Sequence, residues 1–367
     1  MQIVEFGAGT LRYLDQVPAG PPERGFVWVY LERETLDADL QQLQQACTAL
    51  GGSPLLDLHL TDLANPQHPS SYDYTSVYDI LVFRRLASEV EVRMELGEEH
   101  APQPAPLATF GHIRTRAVGF VAFDRLLVSV HPQGCLAARS FIERHLADAL
   151  RAETLSAAVR SRLPTSPADL MLRMLNMMVD SYLDLRRRLS GEMDSWQQQL
   201  LAPRARTAAD WGALLTARNA IHTLEDLSEG QHDAVQEWLD TQHEQPAPWL
   251  PQAERDSLEA RARDVVEHIQ RVLHHAHRME QNAETAVQIH FSAQANRTNE
   301  IMRVLTALTA VFLPLNFMTG FFGMNFEYLP LIHSDNAMWF ILGFMVFVSA
   351  VVIAVFWRKR YLARTGG

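Results

Sequence analysis

The chain has 367 residues, a formal net charge of −11 and 47% hydrophobic residues. Acidic bulk without a basic, aromatic-laced patch excludes nucleic acid as a partner. Two lone cysteines, Cys47 and Cys135, exclude a disulfide framework or a CxxC-type zinc site and suit a reducing compartment, and the length suggests more than one folding unit.

Met1-Gln2-Ile3-Val4-Glu5 lacks a basic stretch followed by an apolar one, so no secretory signal is expected. Residues 26–32 are β-branched and aromatic and read as a strand, followed by a helix from Thr35 to Leu50 that ends at Gly51-Gly52. Asn65-Pro66 and His68-Pro69 mark a loop, and residues 77–83 form a second strand. Residues 97–107, with Pro102, Pro104 and Pro106, read as a breaker-rich loop. Ala117–Phe123 and Leu126–Val130 are two further strands, which makes residues 1–132 an α/β subdomain.

The pattern then turns helical over residues 133–251. Leu136–Leu163 is expected to be a helix. Ser166-Pro167-Ala168-Asp169 is an N-cap with proline at the first helical position, opening a helix with Leu170, Met174, Met177, Met178, Tyr182 and Leu185 at helical spacing. That methionine stripe reads as core filler rather than a metal box. Two more helices are expected over 207–228 and 232–242, closed by Gln245-Pro246-Ala247-Pro248.

Gln252 to Leu313 contains neither glycine nor proline. Such a run spans roughly 90 Å as one helix, far beyond the usual globular length. A stalk helix over 252–302 is therefore expected to lead straight into a membrane hairpin over 303–367. Its spans, about 304–324 and 337–357, lack charge and are each long enough for the hydrocarbon core. Arg297 and Arg303 precede the first span, and Arg358, Lys359, Arg360 and Arg364 follow the second. The connecting loop has no Lys or Arg, so both termini are placed in the cytoplasm.

Every seventh residue upstream from Asn316 reads Thr309, Met302, Ala295, Gln288, Gln281, His274 and Glu267; from Leu313 it reads Thr306, Asn299, Ser292, Thr285, Arg278, Arg271 and Asp264. These rows are mostly polar or small, whereas another row holds Val265, Val272, Met279, Ala286 and Ala293. A polar stripe of Asn299, Thr306, Thr309 and Asn316 turns away from lipid. Two readings stay open for the stripe alone: it faces an aqueous axis shared by several copies, or it bonds helix to helix within the membrane.

Asn299-Glu300-Ile301-Met302-Arg303-Val304-Leu305-Thr306, Phe312-Leu313-Pro314-Leu315, Gly320 and Gly323-Met324-Asn325-Phe326-Glu327-Tyr328 together resemble the CorA family of magnesium transporters. The resemblance covers the C-terminal third closely and the N-terminal part loosely, through Trp28 and residues 65–82. It implies an α+β membrane protein: a cytoplasmic N-terminal α/β domain, a very long pore-lining helix and two C-terminal transmembrane helices, assembled as a homopentameric funnel in a bacterial-type inner membrane. It implies a transporter of divalent cations, Mg²⁺ or Co²⁺, rather than an enzyme or a cofactor-dependent protein. Gly323, Met324 and Asn325 then form the selectivity filter at the outer mouth. Asn299, Met302, Leu305, Thr306, Thr309, Leu313, Asn316 and Gly320 line the pore, the apolar ones as constrictions that gate by dewetting. Asp264 matches a regulatory metal position between neighbouring subunits; read on its own residues, it is equally a solvated carboxylate beside Arg261.

Two features pull toward the zinc-transporting ZntB-like branch. Where family members carry a glutamate after the signature, this chain has Leu331, within Leu329-Pro330-Leu331-Ile332. His274, His277 and Glu280 also follow one another at three-residue steps, a spacing able to hold Zn²⁺ and more often that of a polar helix surface. A third reading is a membrane-anchored cation sensor that conducts little.

Overall fold

The computed structural model describes residues 1–7, 11–96, 107–135, 141–142, 163–201, 211–245, 250–324 and 337–358. The chain divides into two compact units, Met1–Thr285 and Ala286–Gly367.

The first unit is built on a seven-stranded sheet. Its strands are β1 (Gln2–Phe6), β2 (Leu11–Leu14), β3 (Phe26–Glu32), β4 (Ser71–Tyr74), β5 (Asp79–Leu86), β6 (Thr115–Ala122) and β7 (Leu126–His131). They lie in the order β2-β1-β3-β7-β6-β5-β4. Every pairing is antiparallel except β3 with β7, where Val27 stands beside Leu126 and Tyr30 beside Ser129. The apolar content of the central strands follows from burial on both faces: all six residues of β7 are buried.

One face carries Val27, Val29, Leu31, Val121, Leu126 and Val128. It packs under α1 (Leu36–Ala46), the π turn Cys47–Gly51 that closes it, and α2 (Asp57–Ala64). Approach there is close: a Cβ on Gly119 of β6 would sit 2.2 Å from Leu63 Cδ2, so any side chain at 119 displaces the buried Leu63. The opposite face carries Trp28, whose Nε1 donates to Ser129 Oγ at 2.8 Å. There α5 (Pro167–Asp180) lies against β3, β5, β6 and β7. Short helices α3 (Glu89–Leu96) and α4 (Ala108–Gly111) precede β6, while α6 (Tyr182–Leu201) and α7 (Trp211–Glu244) follow α5.

Several expectations hold as written. β3 spans 26–32, and Ser166 caps α5, with Asp169 N donating to Ser166 Oγ at 3.2 Å. Others shift. The strand expected over 77–83 begins at Asp79, because Thr75 folds the preceding residues into a turn in which Thr75 N donates to Tyr78 O at 2.8 Å. The two helices expected over 207–228 and 232–242 are one. Gly230 does not break α7; it rests beside Ser70, and Gln231 Nε2 donates to Arg84 O at 2.6 Å. Packing of this kind outweighs the ~1 kcal/mol that glycine costs inside a helix. Strands β1, β2 and β4 and helices α2, α3 and α4 had no counterpart in the sequence reading. The helix expected over 136–163 falls almost wholly outside the described residues, as does the loop carrying Asn325 and Leu331.

The longest element is α8, Gln252–Phe322, of 71 residues, which runs through both units. At 1.5 Å per residue its contour is about 105 Å. The last, α9 (Ala337–Arg358), belongs to the second unit.

Candidate functional site

Helix α8 has two distinct surfaces along its first half. Ala262, Val265, Ile269, Val272, Ala276, Met279, Ala283 and Ala286 are buried, at alternating steps of three and four residues. Glu267, His274, Gln281 and Gln288, and likewise Asp264, Arg271, Arg278 and Thr285, are exposed. The heptad rows read from the sequence are thus the buried and open faces of one helix.

From residue 299 onward the helix changes character. Asn299, Met302, Leu305, Thr306, Thr309, Leu313, Asn316 and Gly320 all lie on α8 and are exposed in the single chain. So are Ile301, Val304, Leu308, Phe312 and Phe317, and on α9 Trp339, Phe340, Phe344, Val346 and Phe347. Apolar exposure on this scale marks a surface meant for lipid or for other copies of the chain. Both α8 and α9 contain segments long and apolar enough to cross a membrane.

The polar groups in this apolar stretch are held in a defined way. Thr306 Oγ1 donates to Met302 O at 2.8 Å and Thr309 Oγ1 to Leu305 O at 2.9 Å. Their protons are occupied by the helix backbone, which leaves hydroxyl oxygen lone pairs as outward acceptors. Pro314 sits inside the helix and has no N–H to give the carbonyl of Ala310, a freed acceptor one turn below. The helix ends after Phe322: Gly323 N donates to Thr319 O at 2.9 Å and Met324 N to Phe321 O at 3.4 Å. A Cβ on Gly323 would lie 2.7 Å from that same Thr319 oxygen, so the turn into the signature demands glycine. Met324 is exposed; Asn325 lies outside the described residues.

In the first unit Asp264 is exposed and stands 3.6 Å from His268 Nε2, while His268 Nδ1 lies 3.3 Å from Asp180. Arg261 reaches Asp169 instead, at 2.7 Å. The three residues read as a possible zinc set part company. His274 turns its Nδ1 to its own helix, 2.7 Å from Gln270 O. His277 Nε2 and Glu280 Oε1 face α7, each 3.8 Å from a side chain there, Glu225 and His222 respectively. His222 and Glu225 were missed in the sequence, although a three-residue step puts both on one helical face.

A family model described as CorA-like Mg²⁺ transporter protein matches residues 23–360. The chain belongs to the CorA-like Mg²⁺ transporter family. Among curated proteins it is 24% identical over 194 residues to the cobalt/magnesium transport protein CorA of Thermotoga maritima, a stretch that covers 53% of this chain and 52% of the relative. It is 32% identical over 74 residues to the cobalt/magnesium transport protein CorA of Methanocaldococcus jannaschii, covering 20% of this chain and 23% of that one. The alignments thus span about half or less of these relatives' lengths. The structural likeness is more extensive. The complete structure of the CorA magnesium transporter from M. jannaschii superposes with a TM-score of 0.71 at 16% identity, covering 100% of this chain and 98% of that one. The full-length CmaX protein gives 0.67 at 16% identity, covering 98% and 97%. The fold is that of full-length CorA: an N-terminal α/β domain, one very long helix and two C-terminal apolar helices, in a membrane protein.

Proposed function

We propose that the protein carries divalent cations, Mg²⁺ foremost, across a bacterial-type inner membrane, with both termini in the cytoplasm. The observation that carries the reading is the set Asn299, Thr306, Thr309 and Asn316 on one transmembrane helix, ending at the glycine-dependent turn into Gly323-Met324-Asn325. Family membership supports it, as does the likeness to the cobalt/magnesium transport proteins of T. maritima and M. jannaschii.

One helical hairpin cannot enclose an aqueous path, so the working form is a symmetric homo-oligomer, a pentamer, with α8 of each copy lining the axis. Mg²⁺ gives up its water reluctantly and is usually held through its hydration shell. A ring of Asn325 amide oxygens accepts hydrogen bonds from that shell without trapping the ion. Asn316 and Asn299 supply further amide rings, and Thr306 and Thr309 supply hydroxyl oxygens whose protons already face the backbone. Met302, Leu305 and Leu313 form the apolar constrictions that close the path by dewetting. Gly320 permits close approach near the mouth. Asp264 binds a regulatory divalent ion between neighbouring subunits. Residues 1–132, 133–251 and 252–302 form the cytoplasmic subdomains and stalk, and 303–367 the membrane hairpin.

Asn325→Ala tests the filter. Pentamers form as in the parent protein and selective uptake of Mg²⁺ is lost; normal selective uptake by the variant removes the filter from the mechanism. Leu331, where an acid would draw cations to the mouth, motivates a second reading, Zn²⁺ as the carried ion. Uptake of Zn²⁺ exceeding that of Mg²⁺ at equal activity selects it.

A further inference from the structure

We propose that each subunit holds a Zn²⁺-type transition metal ion between α7 and α8, on His222, Glu225 and Glu280. One ligand atom from each of His222, Glu225 and Glu280 lies within 4.8 Å of the others. His222 Nδ1 is 3.2 Å from Glu225 Oε2, and His222 Nε2 is 3.8 Å from Glu280 Oε1. His277 Nε2 is 3.8 Å from Glu225 Oε1.

The decisive atom is Glu225 Oε1. Glu225 is only 8% exposed, and this oxygen is buried without a hydrogen-bond partner. A buried carboxylate oxygen left unpaired is costly. At 3.8 Å the His277 nitrogen is too far to satisfy it by hydrogen bonding. Two ligands of one tetrahedral zinc, at bond lengths of about 2.0–2.1 Å, stand about 3.3 Å apart. Drawn in from within 4.8 Å to that separation, one ring nitrogen of His222 and one oxygen each of Glu225 and Glu280 hold the ion, and the Glu225 carboxylate gains the partner it lacks. No lysine or arginine forms a salt bridge with Glu225 or Glu280 among the described residues.

The ligand set also selects the ion. Imidazole nitrogen with carboxylate oxygen suits Zn²⁺, whereas Mg²⁺ prefers oxygen alone. The site is distinct from the ion path and from Asp264. It would fasten α7 to the helix that bears the path, giving a Mg²⁺-type transporter a separate response to transition metals. A competing account of the same geometry is metal-free bridging, with the two ring nitrogens of His222 facing the Glu225 and Glu280 carboxylates.

Zinc titration of the full-length protein in detergent, against a chromophoric chelator and in millimolar Mg²⁺, separates the two. The parent protein binds one zinc per chain in excess Mg²⁺, and zinc raises its Tm by mass action. The exposed-side variant His222→Ala weakens binding at least tenfold, and His222→Ala with Glu225→Gln about 100-fold or more, with the zinc-dependent Tm rise abolished. His274→Ala binds as the parent does. Equal zinc affinity in the parent and the double variant overturns the site, as does complete displacement of zinc by Mg²⁺. Since binding is read apart from flux, a failure here leaves the transport reading standing, and a failure of transport leaves this site standing.

Discussion

The Tyr182 hydroxyl on α6 and His275 Nδ1 on α8 lie 2.6 Å apart, and the other ring nitrogen is 2.9 Å from Ser190 Oγ. His275 is only 5% exposed, in contrast to its neighbour His274. Burial, reinforced by Arg186 and Arg278, depresses its pKa to about 4 and keeps the ring neutral. A neutral imidazole donates through one nitrogen and accepts through the other, which suits two hydroxyl partners. Tyr182→Phe leaves one buried ring nitrogen unpaired and should cost about 1–3 kcal/mol. Thermal unfolding of the purified protein checks it; an unchanged Tm would show that water or a rotated serine replaces the phenol.

The Arg85–Glu91 pair is another buried polar anchor of the first unit. Arg85 Nη1 and Nη2 donate to the two Glu91 oxygens at 2.9 and 2.5 Å, and Nη2 also meets Cys135 Sγ at 3.0 Å. Burial works to raise the Glu91 carboxyl, but the guanidinium overrides it and holds the group below the ordinary carboxylate range. Its stabilising contribution is therefore present at neutral pH and lost as pH falls below about 4. Glu91→Ala strands a buried cation and should destabilise by about 3–5 kcal/mol. Chemical denaturation measures this, and a loss below about 1 kcal/mol would contradict the anchoring role.

Asp79, at the start of β5, behaves in the opposite sense. Burial raises its pKa to about 6, although Tyr72 and Gln242 donate hydrogen bonds to it. A raised carboxyl pKa means that the folded state holds the proton more tightly than the unfolded chain. The contribution is favourable below about pH 4 and is lost as pH rises through 6. Asp79→Asn should stabilise the protein at pH 7, by at most about 3 kcal/mol, and flatten the stability profile between pH 4 and 6. A parallel profile in parent and variant would contradict the assignment.

Thr309→Val tests whether the hydroxyl oxygens serve the ion. The side chain keeps its shape and the helix loses only a side-chain bond to Leu305 O. Uptake should fall about tenfold, as expected for about 1.4 kcal/mol of lost stabilisation, with assembly unchanged. Undiminished flux would place Thr309 at a helix contact instead.

What the sequence disclosed depended on the range of the interaction. The start of α8 at Gln252 and the extent of α9 were legible because composition alone decides them: no glycine or proline from Gln252 to Leu313, and no charged residue from Ala337 to Trp357. The exposed heptad rows were legible for the same reason. Ser71–Tyr74 was not legible as a strand, since its polar residues owe their conformation to pairing with β5. Likewise His222 and Glu225 gave no signal by themselves. They acquire meaning only when α7 and α8 come together and set Glu280 and His277 opposite them. The histidine cluster drew attention to the right helix, yet His274, its most conspicuous member, is engaged with Gln270. Periodicity cannot reveal which side of a helix meets a partner that is remote in sequence.

The most direct test of the transport account is flux into proteoliposomes that contain the full-length protein, with Mg²⁺ and Zn²⁺ compared side by side. The account predicts protein-dependent Mg²⁺ uptake exceeding that of Zn²⁺, and its loss with Asn325→Ala. Uptake of neither ion above that of empty vesicles would contradict it.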